Sequence, residues 1–268
     1  MSCKISIITV TCNSASTIRK CLNSVESQRC GVEHIIIDNC STDETLEIVK
    51  SYPYIDKVVS EADHGIYDAM NKGIALATGD VIGILNSDDF YVSAAVTEKV
   101  SGIFDDERME SCYGDLVYVD PLNHGKITRY WKSGSFRDRS FYWGWMPPHP
   151  TFFVRRPVYE KYGLFKTDIG TAADYELMLR FLVKHKITTA YIPEVLVIMQ
   201  DGGISNSSLI KRIKANRMDS SAWKVNGLAP YPWTIALKPL RKITQFMLVN
   251  RRSSARNVLY RLGLSEKK

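Results

Sequence analysis

The sequence predicts an α/β fold built on a mostly parallel sheet. Over the first 90 residues, short apolar runs alternate with segments whose apolar residues recur at helical spacing. Repeated strand–helix units place helices against a parallel sheet and bury both of its faces. The chain has 268 residues, of which 45% are hydrophobic, so it is long enough for one α/β core and an appended segment.

The elements of this first part follow from local sequence. A β-rich run from Lys4 to Val10 precedes a helix whose start is favoured by Ser16-Thr17. A second strand ends at Asp38, after which Ser41 and Glu44 have the spacing of a capping box. The remaining predicted elements are a strand at Val58-Val59, a helix from Ile66 to Ala77 and a strand from Val81 to Leu85.

Beyond residue 89 the alternation of strands and helices changes. We expect a helix near Ala94 to Ile103 and then a hairpin whose strands lie around Cys112 to Val119 and Ile127 to Trp131. A segment rich in aromatic residues leads to a predicted strand at Thr151 to Val154. Before that strand, His149 stands between two prolines that restrict the backbone and would hold its imidazole still, which suits either a buried structural histidine or one with a functional role.

The last predicted strand of the alternating part leads directly into Asn86-Ser87-Asp88-Asp89. Ligands of open α/β sheets bind where parallel strands end, and two adjacent carboxylates there suit a divalent ion that holds a diphosphate. This position therefore favours an enzyme acting on a nucleotide sugar. The alternative is a turn whose side chains cap the following segment.

The C-terminal part differs from the rest in charge. Residues 205–268 contain 14 Lys or Arg and 2 acidic residues, a local charge of +12 in a chain whose net charge is +6. We expect a catalytic domain over residues 1–205 and a basic, amphipathic helical tail over residues 206–268. Such helices bind anionic membrane surfaces, and packing on the catalytic domain is the alternative. No nucleic-acid-binding motif accompanies the charge, so no nucleic-acid partner is predicted.

Other sequence features limit the class of protein. The apolar run near the N-terminus is too short for a signal peptide, which predicts a cytoplasmic protein. The six cysteines form no C-x-x-C pair and are expected to be reduced thiols. No G-x-G-x-x-G follows Val10, which disfavours a dinucleotide-dependent dehydrogenase.

Four segments of the first 90 residues form a recognisable set: Ile7 to Asn13, Ile35 to Thr45, Asp63 to Gly73 and Asn86 to Asp89. Together they resemble family 2 glycosyltransferases, especially bacterial members that build O-antigen, capsule or colanic-acid-like repeat units. The resemblance covers roughly residues 4–205 and implies a GT-A fold with inverting, metal-dependent transfer from a nucleotide-diphosphate sugar. The Q-x-x-R-W motif and transmembrane helices of processive members do not occur, so we expect transfer of one sugar per catalytic event.

The resemblance also implies roles for individual residues. Thr9 and Thr11 match the strand end beside the nucleoside, and Asp38 matches the acid that accepts a hydrogen bond from the base, usually uracil. A carboxylate satisfied locally ahead of a helix is the alternative for Asp38. Asp89 matches the acid that ligates Mg²⁺ or Mn²⁺, and Asp88 the acid that contacts ribose or a metal-bound water.

Three more residues match the helix entrance beside the donor: Asp63, Asn71 and Lys72. Lys72 suits an ordinary solvated helix lysine equally well. An inverting transfer also needs a general base, and the match is Asp174 in Ala172-Ala173-Asp174-Tyr175-Glu176, where Ala173 replaces the usual preceding acid. The alternatives are a first-turn acid that complements the helix dipole, or Glu176 as the base.

These expectations combine into one predicted function. The protein transfers a sugar from a UDP-sugar to a glycan linked to a polyprenyl diphosphate, in bacterial surface polysaccharide synthesis. It acts as a peripheral protein on the inner face of the cytoplasmic membrane. The alternative from another class is a catalytically silent nucleotide-sugar-binding partner of a polysaccharide assembly complex.

Overall fold

The computed structural model describes residues 3–29, 31–121, 123, 126–201 and 218–250. Its strands are β1 (Ile5–Thr11), β2 (Val32–Asp38), β3 (Lys57–Ser60), β4 (Val81–Ile84), β5 (Phe90–Tyr91), β6 (Ser111–Val119), β7 (Ile127–Trp131), β8 (Phe153–Arg155) and β9 (Thr189–Gln200). They form one sheet in the order β3-β2-β1-β4-β8-β6-β9-β5, and β7 pairs with β6 outside this path.

The helices flank this sheet and agree in the first part with the predicted alternation. They are α1 (Ile18–Glu26), α2 (Thr45–Lys50), α3 (Ile66–Leu76), α4 (Val96–Phe104), α5 (Arg156–Tyr162), α6 (Ala173–Leu179), α7 (218–225) and α8 (Thr234–Asn250). Short 3₁₀ segments cover Ser140–Trp143, His149–Thr151 and Thr167–Ala172, and a π-helical turn, Arg180–Lys184, extends α6.

The predicted α/β fold is confirmed, and its parallel half consists of β1 to β4. β1 pairs in parallel with β2 on one side and β4 on the other, and β3 adds to β2. All seven residues of β1 are buried, as expected for a strand covered on both faces. On one face α3 approaches closely at Gly73, where a Cβ atom would overlap the Ile8 side chain.

The other half of the sheet is mixed. β6 forms the predicted hairpin with β7, pairs antiparallel with β8 and runs parallel to β9. The predicted strand at Thr151 begins later, at Phe153, because His149–Thr151 forms a 3₁₀ turn. β5, α5 and β9 were not predicted from sequence. In β9 the exposed Pro193 and Glu194 interrupt the apolar pattern, and its partner β6 lies some 80 residues earlier.

The described part of the predicted tail packs on the catalytic domain. Trp223 of α7 is fully buried and donates a hydrogen bond to the Tyr175 hydroxyl (2.9 Å). The Lys238 ammonium of α8 contacts the Asp219 carboxylate at 2.7 Å. At Gly144, a Cβ atom would come within 2.6 Å of the Lys238 backbone nitrogen, so α8 lies directly on this turn.

Two predictions about the tail fall partly outside the described residues. The predicted boundary between residues 205 and 206 and the start of the predicted helical tail, residues 206–217, lie in the segment 202–217, outside the described residues. Among the described helices, none combines the length and the apolar character that crossing a bilayer requires.

Candidate active site

The carboxyl ends of the parallel strands meet at one edge of the sheet. Thr11 at the end of β1 is in register with Asp38 at the end of β2, and Asp38 with Ser60 at the end of β3. β4 ends beside them and continues into Asp88-Asp89. The fold therefore brings together three of the segments in which the sequence predicted site residues.

Asp38 is fully buried and its carboxylate is occupied. One oxygen accepts hydrogen bonds from the Ser41 backbone N–H (2.9 Å) and the Ser60 hydroxyl (2.7 Å). The other accepts a bond from the Ser41 hydroxyl. Asp38 therefore holds together the β2 and β3 ends and the loop before α2, and its predicted contact with a base remains a prediction.

The two threonines of β1 differ in their surroundings. The Thr9 hydroxyl lies 2.9 Å from Nε2 of the buried His34, below the edge of the sheet. The Thr11 hydroxyl is buried at the edge and has no hydrogen-bond partner within the described residues. Thr11 is therefore the one whose hydroxyl remains available to a ligand.

The predicted donor-side residues around α3 all have local partners. The Asp63 carboxylate accepts the Gly65 N–H at 2.8 Å. The Asn71 amide exchanges two hydrogen bonds of 2.9 Å with the backbone of Phe165. The Lys72 ammonium contacts the Ala62 carbonyl (2.8 Å) and the Glu61 carboxylate (2.9 Å). Asn71 thus joins α3 to the segment before α6, and the donor contacts of all three remain predictions.

Asp89 is a fully buried carboxylate with one unpartnered oxygen. Its Oδ2 accepts a hydrogen bond from the Asn86 amide (3.0 Å), whereas Oδ1 has no partner among the described residues. Burial, reinforced by the charge of Asp88, raises the pKa of Asp89 well above its usual range. Asp88 is only partly buried, and burial raises its pKa as well. An unpaired buried carboxylate is costly unless a proton or a cation joins it.

These two acids fit a divalent ion that also binds a ligand. In the described part of the chain, no group of three or more His, Cys, Asp or Glu side chains is arranged to hold a metal. Mg²⁺ is commonly held by one or two carboxylates and completes its shell with substrate phosphates and water. The unpartnered Asp89 oxygen and the more accessible Asp88 carboxylate match such a site.

Asp174 and Glu176 differ in availability although both lie in the first turn of α6. Glu176 is fully buried, and Arg180 donates to both of its oxygens at 3.0 and 2.9 Å. Asp174 is only partly buried, and its Oδ1 accepts its neighbour's backbone N–H (2.7 Å). Of the two acids, Asp174 is therefore the one that can reach a substrate.

His149 and Tyr67 lie near Asp174. The His149 ring packs edge-on against Phe165 at 5.5 Å between centroids and has no hydrogen bond to any described residue. Burial lowers the pKa of His149, and the charge of Asp174 opposes this shift. The Tyr67 hydroxyl is 3.4 Å from the Thr171 carbonyl, and burial together with the Asp174 charge raises its pKa. The Pro-His-Pro segment therefore borders the base candidate.

Tyr118 was missed at the sequence level, and the charges of Asp89 and Asp174 both act on it. Burial is the main cause of the raised pKa of Tyr118, and the charges of Asp89 and Asp174 act in the same direction. Both acids therefore lie within electrostatic reach of a single phenol. Its cross-strand partner on β7 is Arg129. A charged residue inside an otherwise apolar and aromatic strand was the sequence feature that could have drawn attention to this pair.

Comparison with known proteins places these segments in a wider group. The family model described as "Glycosyl transferase family 2" matches residues 6–163 of this chain. A PGL/p-HBAD biosynthesis glycosyltransferase from Mycobacterium tuberculosis is 30% identical over 212 residues, covering 77% of this chain and 80% of the relative. The uncharacterized glycosyltransferase YwdF from Bacillus subtilis is 24% identical over 238 residues, with 85% and 86% coverage.

Two solved structures resemble the fold. The Staphylococcus aureus TarS 1–349 complex with UDP has a TM-score of 0.63 at 18% identity, covering 98% of this chain and 75% of that one. The mannosyltransferase PcManGT from Pyrobaculum calidifontis, in complex with GDP-Man and Mn²⁺, has a TM-score of 0.62 at 17% identity. The match covers 100% of this chain and 77% of PcManGT. At these identities the likeness concerns the fold.

Proposed function

The chain belongs to glycosyl transferase family 2, and we propose that it transfers one sugar, with inversion, from a UDP-sugar to a glycan on a polyprenyl diphosphate. One observation carries the proposal: the charges of Asp89 and Asp174 both act on one side chain, Tyr118. The strand pairing agrees, because Phe90, which follows Asp89, is in register with Ile198 of β9, and Ile198 with Val117 beside Tyr118. This arrangement suits a donor diphosphate at one side of a cleft and an acceptor hydroxyl at the other.

In this proposal Asp174 is the general base. The acceptor hydroxyl must lose its proton while it attacks the anomeric carbon opposite the departing diphosphate. Asp174 is partly exposed, whereas the guanidinium of Arg180 occupies both oxygens of the alternative base, Glu176. The Tyr67 side chain, packed against Phe165, limits the space on one side of Asp174.

Asp88 and Asp89 would hold Mg²⁺ or Mn²⁺ together with the donor diphosphate. Such an ion supplies positive charge that offsets the charge developing on the leaving diphosphate. Asn86 orients Asp89 by donating to Oδ2, so the unpartnered Oδ1 is fixed in direction. PcManGT has been solved in complex with Mn²⁺, which supports the choice of ion.

The choice of UDP rests on the resemblance and on the structural relatives. TarS has been solved with UDP and with UDP-GlcNAc, whereas PcManGT has been solved with GDP-Man. Recognition of a uracil imide by the Asp38 carboxylate requires the Ser41 hydroxyl to rotate away, since that hydroxyl now donates to it. Otherwise Asp38 acts by holding the loop, and the Thr11 hydroxyl, which has no partner among the described residues, is a polar group at this edge that can contact the nucleoside.

An acceptor on a lipid places the protein at a membrane, and one surface suits this. Four exposed apolar side chains lie on or beside α8: Trp143, Trp233, Leu240 and Phe246. The Trp143 and Trp233 rings are 5.9 Å apart, and tryptophan favours the bilayer interface. With the basic residues of the tail, this surface supports peripheral attachment to the inner face of the cytoplasmic membrane.

Nucleotide binding tests the donor assignment. Thermal shifts of the purified protein would be measured with UDP, GDP, CMP and NAD, each with and without Mn²⁺. We expect stabilisation by UDP that depends on Mn²⁺ and is lost in Asp89→Ala. Stabilisation by GDP or NAD alone, or no response to any nucleotide, would contradict the proposed donor.

Turnover tests the enzyme against the silent-partner alternative. UDP release would be followed with a panel of UDP-sugars and a polyprenyl-diphosphate-linked sugar on vesicles containing anionic lipid. An enzyme releases UDP in proportion to acceptor consumed, and Asp174→Asn abolishes this release while UDP binding is retained. A protein that binds UDP but releases none with any acceptor corresponds to the silent partner.

A further inference from the structure

Arg129 occupies an unusual position for a charged side chain. It lies within β7, is 7% exposed, and its guanidinium carbon stands 4.5 Å from the Tyr118 ring centroid and 5.3 Å from that of Trp131. Phe246 of α8 covers it at 5.7 Å. Burial lowers the pKa of Arg129, as expected for a cation removed from water.

Only one edge of this guanidinium is satisfied. Its Nε donates to the side-chain oxygen of Gln245 at 2.6 Å, which fixes the plane of the group. Nη2 is buried without a partner, and neither terminal nitrogen forms a hydrogen bond to any described residue. Ring faces compensate part of the charge, but unmade bonds to a buried cation are expensive. The guanidinium is therefore held through Nε, and its two terminal nitrogens have no acceptor among the described residues.

The free donors lie beside the candidate active site. Arg129 is directly opposite Tyr118 in the hairpin. Val117, the neighbour of Tyr118, is in register with Ile198 of β9, and Ile198 with Phe90, which follows Asp89. The charges of Asp89 and Asp174 also act on Tyr118. The charge of Asp201 also acts on Arg129. The Tyr118 hydroxyl likewise has no hydrogen-bond partner within the described residues, so two polar groups of one hairpin remain available together.

We propose that Arg129 binds a diphosphate in the cleft through its two terminal nitrogens, with the Tyr118 hydroxyl beside it. The planar fork of a guanidinium matches two phosphate oxygens, and such charge-assisted bonds are strong in a site shielded from water. The inference rests on the proposed function, which supplies two diphosphates: that of the nucleotide-sugar donor and that of the lipid-linked acceptor. Gln245 makes α8 part of this site, because it orients the fork.

The experiment compares Arg129→Met and Arg129→Lys with a matched arginine. Arg155 on β8 also stacks on an aromatic ring, at 5.1 Å from Phe104, but its nitrogens donate to the carbonyls of Met109 and Phe104. Calorimetry would give the dissociation constants of UDP and UMP with Mn²⁺, of inorganic diphosphate, and of farnesyl diphosphate as a short polyprenyl diphosphate. Melting temperatures would be recorded for each variant.

If Arg129 binds the donor, Arg129→Met weakens UDP binding at least tenfold and changes UMP binding less than twofold. If it binds the acceptor, the same loss appears with farnesyl diphosphate instead. Arg129→Lys should recover part of the affinity, because it keeps the charge and loses the fork. Arg155→Met should lower the melting temperature and leave all affinities unchanged.

Unchanged binding of UDP, inorganic diphosphate and farnesyl diphosphate in Arg129→Met overturns the inference and leaves Arg129 with a packing role. The proposed function fails separately, when the wild type binds no UDP. In that case, binding of inorganic diphosphate that Arg129→Met abolishes retains the inference. A wild type that binds none of the diphosphates overturns both.

Discussion

The two ends of the parallel half-sheet differ in whether their buried polar groups are hydrogen-bonded within the protein. At the amino end, Glu33 is 4% exposed and accepts hydrogen bonds from the Ser6 hydroxyl (2.5 Å) and from both the backbone and the hydroxyl of Thr78 (2.7 Å each). The ammonium groups of Lys57 and Lys4 lie 3.5 and 3.9 Å away. Every polar atom of this carboxylate is satisfied within the protein.

At the carboxyl end the same strands leave polar atoms unpaired. Oxygens of Thr11, Asn86 and Asp89 are buried without a partner in the described part of the chain. Since most buried polar groups in native proteins are hydrogen-bonded, three exceptions at one edge need an explanation. A ligand that completes them explains all three. The hydrogen bonds at the amino end therefore stabilise the fold, whereas the unpaired oxygens at the carboxyl end fit the proposed ligand site.

The largest expected effect concerns Asp174, next to the carboxyl end. Asp174→Asn should lower the transfer rate about 10²–10⁴-fold, because an amide cannot accept the acceptor's proton. The melting temperature should change little, since Asp174 is partly exposed. The measurement is UDP release per folded molecule. If this variant still transferred sugar at the wild-type rate, a residue other than Asp174 would have to be the general base.

A paired substitution compares the two ends directly. Glu33→Gln should lower stability by about 1–3 kcal/mol, because the amide keeps one acceptor and places donors against Ser6 and Thr78. Asp89→Asn should maintain or raise stability, since it removes a buried charge with an unpaired oxygen, and should abolish Mn²⁺-dependent UDP binding. Denaturant unfolding and thermal shifts measure both. Equal destabilisation by the two variants would remove the distinction between the ends.

The two carboxylates should also respond to pH in opposite directions. Burial alone would raise the pKa of Glu33, but the hydrogen bonds from Ser6 and Thr78 and the Lys4 charge hold it at about 2, below the ordinary 4.5. Its stabilisation is therefore complete above pH 4.5 and is lost as the pH falls towards 2. For Asp89 the raised pKa makes the folded protein lose stability as the pH rises above the ordinary 3.8.

Unfolding free energies measured in urea between pH 2 and pH 7 test this pair. Glu33→Gln should flatten the acid side of the profile, and Asp89→Asn should remove a decline at higher pH. If neither substitution alters the pH profile, these pKa shifts do not contribute measurably to the free energy of unfolding.

The smallest expected effects come from the two threonines of β1. Thr9→Val should cost about 1 kcal/mol of stability, because it removes the hydrogen bond to His34. Thr11→Val should be nearly neutral, because its hydroxyl has no hydrogen-bond partner to lose among the described residues. It should instead weaken UDP binding severalfold. A stronger stability loss at Thr11 than at Thr9 would contradict this assignment.

The parallel half was predictable because its pattern is local. Alternating strands and helices, and the acids that follow β4, depend on residues within a few positions of each other. The partners of Asp38 were only partly foreseeable, since Ser41 is three residues away but Ser60 belongs to another strand. The general alternative of a locally satisfied carboxylate agrees with this geometry.

The other half was predictable only in its local parts, such as the hairpin of β6 and β7, because the rest depends on distant pairings. β9 lies beside β6 only after the chain has passed through α5 and α6, and no periodicity in residues 189–200 specifies that neighbour. The contact of Arg129 with Gln245 joins residues 116 positions apart. Similarly, Arg180 removes Glu176 from the set of available acids through a contact that a sequence motif does not encode.

The burial of Trp223 also determines how far the chain can be shortened. The family model ends at residue 163, yet the Trp223 indole fills space in the main core and bonds to Tyr175, the neighbour of Asp174. Removing residues 206–268 would leave a void of tryptophan size, a loss of about 3–5 kcal/mol and a large share of the stability of an ordinary domain. We therefore expect a fragment that ends before residue 206 to unfold and aggregate.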